Sequence, residues 1–171
     1  MDDCMKKNNK KAAVIVLLLG LLGIGIWLWQ SDQGLRMDED QQAGSLDGMS
    51  DAQLQELMDQ KVDEGSLMIS INTQPEYPDG KSAGTIRIEN SAQNNYLMVV
   101  KMYLKDPSGK DGELIYESGA IMPGHKIEKA KLVKNLKKGT YPVIAYFEGY
   151  DQKSKEFVGK AASELSIVVR K

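Results

Sequence analysis

The chain of 171 residues carries 24 acidic and 22 basic side chains, a net charge of −2, one histidine and one cysteine. That length suits one globular domain with accessory segments. A single cysteine excludes a disulfide-stapled fold, and the near-balance of charge argues against nucleic acid as a partner.

The balance conceals three blocks. Residues 1–11 hold two acids against four lysines, residues 30–66 hold ten acids against two bases, and residues 67–171 hold twelve acids against sixteen bases. Blocks of this kind mark separate physical environments. In chain order, the short basic tail of residues 1–11 comes first and contains Cys4. A lipid-attachment cysteine would follow an apolar run, and Cys4 precedes one, so it reads as an ordinary cytoplasmic thiol.

Ala12 to Trp29 is eighteen residues without a charge. As a helix it would span roughly 27 Å, close to a hydrocarbon core of about 30 Å. Trp27 and Trp29 sit at its far end, where indoles prefer the headgroup interface, and the lysines lie on its near side. The positive-inside rule then predicts a single-pass signal anchor in the cell membrane, with the N-terminus cytoplasmic and the rest extracytoplasmic. A cleaved signal peptide is the rival. Its apolar stretch would be shorter and would end near a small-x-small triplet, whereas Ala43-Gly44-Ser45 lies far downstream. Gly20, Gly23 and Gly25 do not form the GxxxG spacing of a helix-dimer motif.

Residues 30–49 are polar and acidic, and read as a flexible linker that holds the following domain near the membrane. Residues 50–65 read as an amphipathic helix. Ser50 and Gln53 make a capping box, Leu54, Leu57, Met58 and Val62 fall on one face, and Gly65 supplies the stop. That narrow stripe needs either the β-domain or a partner helix to cover it.

From Leu67 the period becomes two. Strands are expected at Leu67–Thr73, Thr85–Asn90, Tyr96–Lys105, Glu113–Glu117, Lys126–Val133, Thr140–Tyr150 and Leu165–Arg170, the last with an early start between Phe157 and Ser163. Pro78-Asp79-Gly80, Pro107-Ser108-Gly109, Pro123-Gly124 and Lys138-Gly139 mark turns between them. Seven strands without an intervening helix over residues 66–171 indicate a mainly β fold, an antiparallel sandwich of immunoglobulin-like size.

The run Ile121-Met122-Pro123-Gly124-His125-Lys126-Ile127, then Leu132, then Leu136-Lys137-Lys138-Gly139-Thr140-Tyr141, resembles the "PG…I…L…L-x-x-G-x-Y" pattern of bacterial immunoglobulin-like surface modules. Together with the basic tail and single anchor, the chain resembles small membrane-anchored envelope proteins of Gram-positive bacteria with an immunoglobulin-like ectodomain. Intracellular protease inhibitors of the BsuPI type carry a similar run. Within it, Gly139 would give room for a corner, and Tyr141 would bury its ring while its hydroxyl bonds backbone upstream.

Chemistry is sparse. Downstream of the anchor there is no cysteine and only His125, so neither a nucleophile–base constellation nor a Cys/His zinc site can be assembled. Asp106-Pro107-Ser108-Gly109-Lys110-Asp111 superficially resembles a calcium loop. Lysine at its fifth position opposes that reading, and a hairpin turn explains the same residues. No catalytic residue, cofactor or metal is expected, and the chain reads as a non-enzyme.

Two candidate binding features remain. Lys126, Lys129, Lys131, Lys134, Lys137 and Lys138 fall in a short stretch opposed only by Glu128. They could contact anionic wall polymer, lipid headgroups or an acidic envelope protein, or protect a sheet edge. The loop Met122, Pro123, Gly124 and His125 is the second. The expected function is a membrane-anchored extracytoplasmic binding or structural module of the bacterial envelope, a subunit of a surface, secretion or transfer assembly. The alternative is an anchored inhibitor or accessory of an extracytoplasmic enzyme. In either case the bilayer is contacted through residues 12–29.

Overall fold

Alternating apolar residues after Leu67 assemble two sheets around one core. The computed structural model describes residues 34–50, 52, 53, 55 and 67–171. The expected transmembrane helix at 12–29, and most of the expected helix at 50–65, lie outside the described residues. No helix among the described residues is long and apolar enough to cross a membrane. The start of the second helix is visible. Ser50 N–H donates to Gln53 Oε1 at 3.0 Å and Gln53 N–H to Ser50 Oγ at 3.4 Å, the reciprocal bonds of a capping box.

Among the described residues the strands are β1 (Gln42–Ala43), β2 (Ile69–Ile71), β3 (Glu76–Tyr77), β4 (Ile88–Asn90), β5 (Tyr96–Lys105), β6 (Asp111–Glu117), β7 (His125–Ile127), β8 (Gly139–Asp151) and β9 (Phe157–Val169). One sheet has the order β1-β7-β4-β2 and the other β3-β9-β8-β5-β6. Pairing is antiparallel except between β3 and β9. Met98, Val100, Met102, Phe147 and Ile167 from the larger sheet meet Ile88 and Ile127 from the smaller one and Ile86 just before β4, all fully buried. The molecule is therefore mainly β, with two sheets packed face to face over residues that alternate inward.

Each of the seven expected strands is present, and three are shorter than expected; Leu67–Thr73 narrows to Ile69–Ile71. Thr85–Asn90 narrows to Ile88–Asn90 because Arg87 adopts a φ of 47°, which interrupts the ladder. Pairing resumes beyond it, where Arg87 N–H bonds Glu128 C=O and Gly84 exchanges bonds with Ala130. Lys126–Val133 shortens to His125–Ile127, and residues 131–138 form a connection. Glycine at position 84 is sterically required, since an added Cβ would lie 2.5 Å from the Tyr77 ring.

A larger departure concerns residues 30–49. Instead of running free, the chain from Leu35 to Leu46 lies along the β-domain, and Leu35–Lys171 forms one compact unit. Asp38 N–H and Ala120 C=O bond at 3.0 Å, and Ala120 N–H and Arg36 C=O at 2.7 Å. β1 then pairs with β7, Gln42 opposite Lys126 and Ala43 opposite His125. This strap needs almost no apolar burial because sheet edges offer unpaired backbone groups that any polar chain can satisfy. Composition therefore could not announce it.

Candidate binding surfaces

The lysine run does not form one free patch. Lys126, on β7, has a side chain only 17% exposed; its Nζ bonds Glu128 Oε1 at 2.8 Å and the Ser45 carbonyl of the strap at 3.2 Å. That ammonium holds the Glu128 carboxyl below its ordinary range. Lys134 is paired with Glu113 of β6. Lys129, Lys131, Lys137 and Lys138 are exposed on the connection from β7 to β8, and among the described residues none forms an ion pair. The structure thus separates the six lysines into two that fasten neighbouring elements and four that face solvent.

Met122 to His125 form a tight turn, with His125 N–H bonding Met122 C=O at 3.1 Å, Pro123 preset for the first corner and Gly124 at φ 71° for the second. The turn carries the chain from the flank of β5 to the other sheet. It is fastened on both sides, by Gly124 N–H to Asn90 C=O at 2.9 Å and by Gly44 N–H to Gly124 C=O at 2.9 Å. Met122 N–H donates to Gln41 Oε1 at 2.9 Å, and His125 Nδ1 lies 3.0 Å from Pro123 C=O. Most polar atoms of this loop are therefore occupied within the chain.

Asn90 explains why the turn is held so firmly. It is fully buried, and its Nδ2 donates to Tyr96 C=O at 2.9 Å and Ile121 C=O at 2.8 Å while its Oδ1 accepts from Asn94 at 2.7 Å. From β4 of the smaller sheet, this amide satisfies one carbonyl of β5 and that of Ile121, which bridges Met98 of β5, and so ties the two sheets together. Nothing in the period-two pattern singled it out, beyond its being a polar residue on the inward phase of a strand.

The outer face of the larger sheet divides in two. At one end Leu97 and Val99 are buried with Ala120, and Leu35, Met122 and Tyr150 pack against them. At the other end the rings of Tyr103 and Tyr146 meet edge to face at 5.9 Å, and Lys160 Nζ lies 4.6 Å from the Tyr146 centroid. Tyr146 donates to Asp111 Oδ2 at 2.7 Å, which raises its hydroxyl pKa. Lys105 pairs with Glu164 at 2.6 Å, and Lys101 reaches Glu148 at 3.0 Å and Glu117 at 3.6 Å. The hydrogen bond to Glu148 is the main cause that raises the Lys101 pKa.

The carboxylates serve turns. Asp106 Oδ1 accepts from Ser108 N, Ser108 Oγ and Lys110 N, while Asp106 N–H bonds Lys110 C=O and closes the β5–β6 hairpin. Asp79 and Asp151 accept from backbone amides two and three residues on. These bonds lower the pKa of all three carboxyls. Among the described residues, no three His, Cys, Asp or Glu side chains converge as metal ligands would.

Two buried tyrosines were not singled out from sequence. Tyr77 is fully buried, its hydroxyl is the one buried side-chain polar atom without a partner among the described residues, and burial drives its pKa far up. Burial does the same to Tyr116, aided by Asp38, Tyr77 and Asp40. Tyr141 follows expectation more closely: its hydroxyl donates to Lys137 C=O at 2.9 Å, four residues upstream. Gly139 is not required for the corner by either space or φ, since an added Cβ would meet the Tyr141 ring at 3.4 Å, an ordinary van der Waals contact.

No protein-family model, curated protein or solved structure matches this chain.

Proposed function

We propose that the chain is a membrane-anchored, non-enzymatic module of the bacterial cell envelope. Its immunoglobulin-like sandwich stands outside the membrane and presents a binding surface within a surface, secretion or transfer assembly. The observation that carries this reading is the eighteen-residue uncharged run Ala12–Trp29 between four lysines and a disulfide-free β-domain.

Strand order supports the immunoglobulin-like assignment. β9-β8-β5-β6 has the G-F-C-C′ order of the variable-type sheet, and β2, β4 and β7 supply A, B and E opposite it. On this mapping Tyr141 stands near the start of strand F, and its bond to Lys137 C=O has the geometry of a tyrosine corner. The chain departs from antibody domains in having no cysteine pair and no tryptophan in the sandwich.

Lys129, Lys131, Lys137 and Lys138 supply the binding surface on this reading, because none of them forms an ion pair among the described residues. An anionic wall polymer or an acidic envelope protein meets them by electrostatic complementarity, which salt screens. Full-length protein in native membranes should resist carbonate extraction, and its C-terminal domain should be degraded by protease added to intact spheroplasts. Release by carbonate, or protection of the domain until lysis, overturns the reading. Changing the four lysines to glutamine should weaken retention of the protein on isolated wall material at low salt by at least about tenfold. Unchanged retention removes the surface assignment and leaves the anchor standing.

A further inference from the structure

We propose that two copies of this chain join edge to edge through β9, continuing the larger sheet across a two-fold axis at Ala162. Among the described residues, the backbone on the far side of β9 is paired only near its end. Ser166 N–H bonds Thr73 C=O at 3.0 Å, Val168 N–H bonds Pro75 C=O at 2.9 Å, and Arg170 N–H bonds Tyr77 C=O at 2.9 Å. β8 and β9 keep an unbroken register from Gly159 to Val169. Alternation then points the N–H and C=O groups of Lys160, Ala162 and Glu164 to the same side as those of Ser166. Among the described residues nothing bonds them there.

The open window has defined ends. At one end a bulge between Gly149 and Tyr150 breaks the register opposite Phe157 and Gly159. At the other, Thr73 occupies the position beside Ser166. The window therefore runs from Gly159 to Leu165, and its midpoint is Ala162.

An antiparallel partner centred on Ala162 places Lys160 of one copy opposite Glu164 of the other, and Glu164 opposite Lys160. Both side chains are exposed and share the solvent face, where Glu164 also bonds Lys105 at 2.6 Å and Lys160 lies over the Tyr146 ring of its own chain, so the pair across the axis adds to these contacts. Opposite charges directly across a ladder stabilise the pair. Gly159, Ala161, Ala162 and Ser163 are small, so neither face obstructs close approach. A strand whose only charged positions complement themselves under a two-fold rotation identifies a second copy as the occupant, since an isologous contact must be self-complementary. Without a partner, this is an unguarded edge of the type that proteins ordinarily cover or charge uniformly.

Charge reversal tests the pairing. Full-length chains with Cys4→Ser and Ala162→Cys, in native membranes, are treated with a short bismaleimide. A cross-linked homodimer is expected. Adding Lys160→Glu alone, or Glu164→Lys alone, brings like charges together at both positions and should cut the dimer by about five- to tenfold. Co-expressing the two variants with different tags should restore cross-linking between unlike chains, because the Lys160→Glu copy then offers only acids and the Glu164→Lys copy only bases. That recovery also shows that both variants fold. Absence of a homodimer, a dimer indifferent to the reversals, failure of the mixed pair to recover, or cross-linking only to a different protein would each overturn the proposal.

Discussion

Along the flank where β6 leads into β7, residues 35–46 lie against both sheets, and Asp38, Gln41, Gly44 and Ser45 bond their edges. Along the flank formed by β9, residues 73–77 reach only as far as Ser166, and among the described residues nothing pairs with the strand before it. One side of the sandwich is closed by a polar strap, and on the other the described residues leave part of β9 unpaired. The contrast shows how little apolar sequence is needed to finish a sheet. A strap whose side chains are mostly polar succeeds because it supplies hydrogen-bond partners to backbone groups already in place.

The largest effect is expected at Asn90, which holds the turn beneath the strap. Asn90→Ala removes one bond each from Tyr96 C=O, Ile121 C=O and Asn94 and leaves a cavity in the core, although Ile121 C=O keeps Met98 N–H and Asn94 keeps Met68 C=O. It should cost about 3 kcal/mol in urea unfolding. Gly119→Ala attacks the closed flank itself. The new Cβ would lie 2.5 Å from Asp38 N and 2.7 Å from Met37 C, so residues 37–38 must move off the edge. A loss of about 2 kcal/mol is expected, with faster amide exchange at Asp38 and Gly44. If exchange there is unchanged, the strap is not held as described.

Tyr77→Phe should act in the opposite direction, because it removes a buried hydroxyl that has no partner. A gain of about 1 kcal/mol is expected. The sign with pH follows from the raised pKa: the unfolded tyrosine ionises first as pH climbs past its ordinary value, so stability falls there in the native chain. The variant should lose part of that alkaline fall.

The smallest effect is at the β5–β6 hairpin. Asp106 has a lowered pKa because it accepts bonds from Ser108 and Lys110. Its contribution is present above the ordinary carboxylate value and disappears as pH falls through the folded one. Asp106→Asn should therefore flatten the acid limb of the stability profile slightly, and a steeper limb would contradict the assignment.

The strands were legible because each has one buried face. Met98, Val100 and Met102 in β5, and Val143, Ala145 and Phe147 in β8, repeat at the spacing a half-buried strand requires. The Met122–His125 turn was legible because Pro and Gly stand where its two corners need them. The strap was not, since Asp38 and Gln41 act through hydrogen bonds that leave no periodic trace. For the same reason the lysine run could be seen and its division could not. Whether Lys126 or Lys131 is free depends on Ser45 and Glu128 in space, and sequence spacing does not encode that.

The central claim is that the sandwich stands on the opposite side of the membrane from Cys4. Cys4 is the only native cysteine, so one introduced at Ser154, in the exposed turn between β8 and β9, gives a two-point topology assay. In intact cells an impermeant maleimide should label Cys4→Ser/Ser154→Cys protein and leave the native chain unlabelled until the membrane is permeabilised. Labelling of the native chain in intact cells, or a variant protected until permeabilisation, would contradict the account.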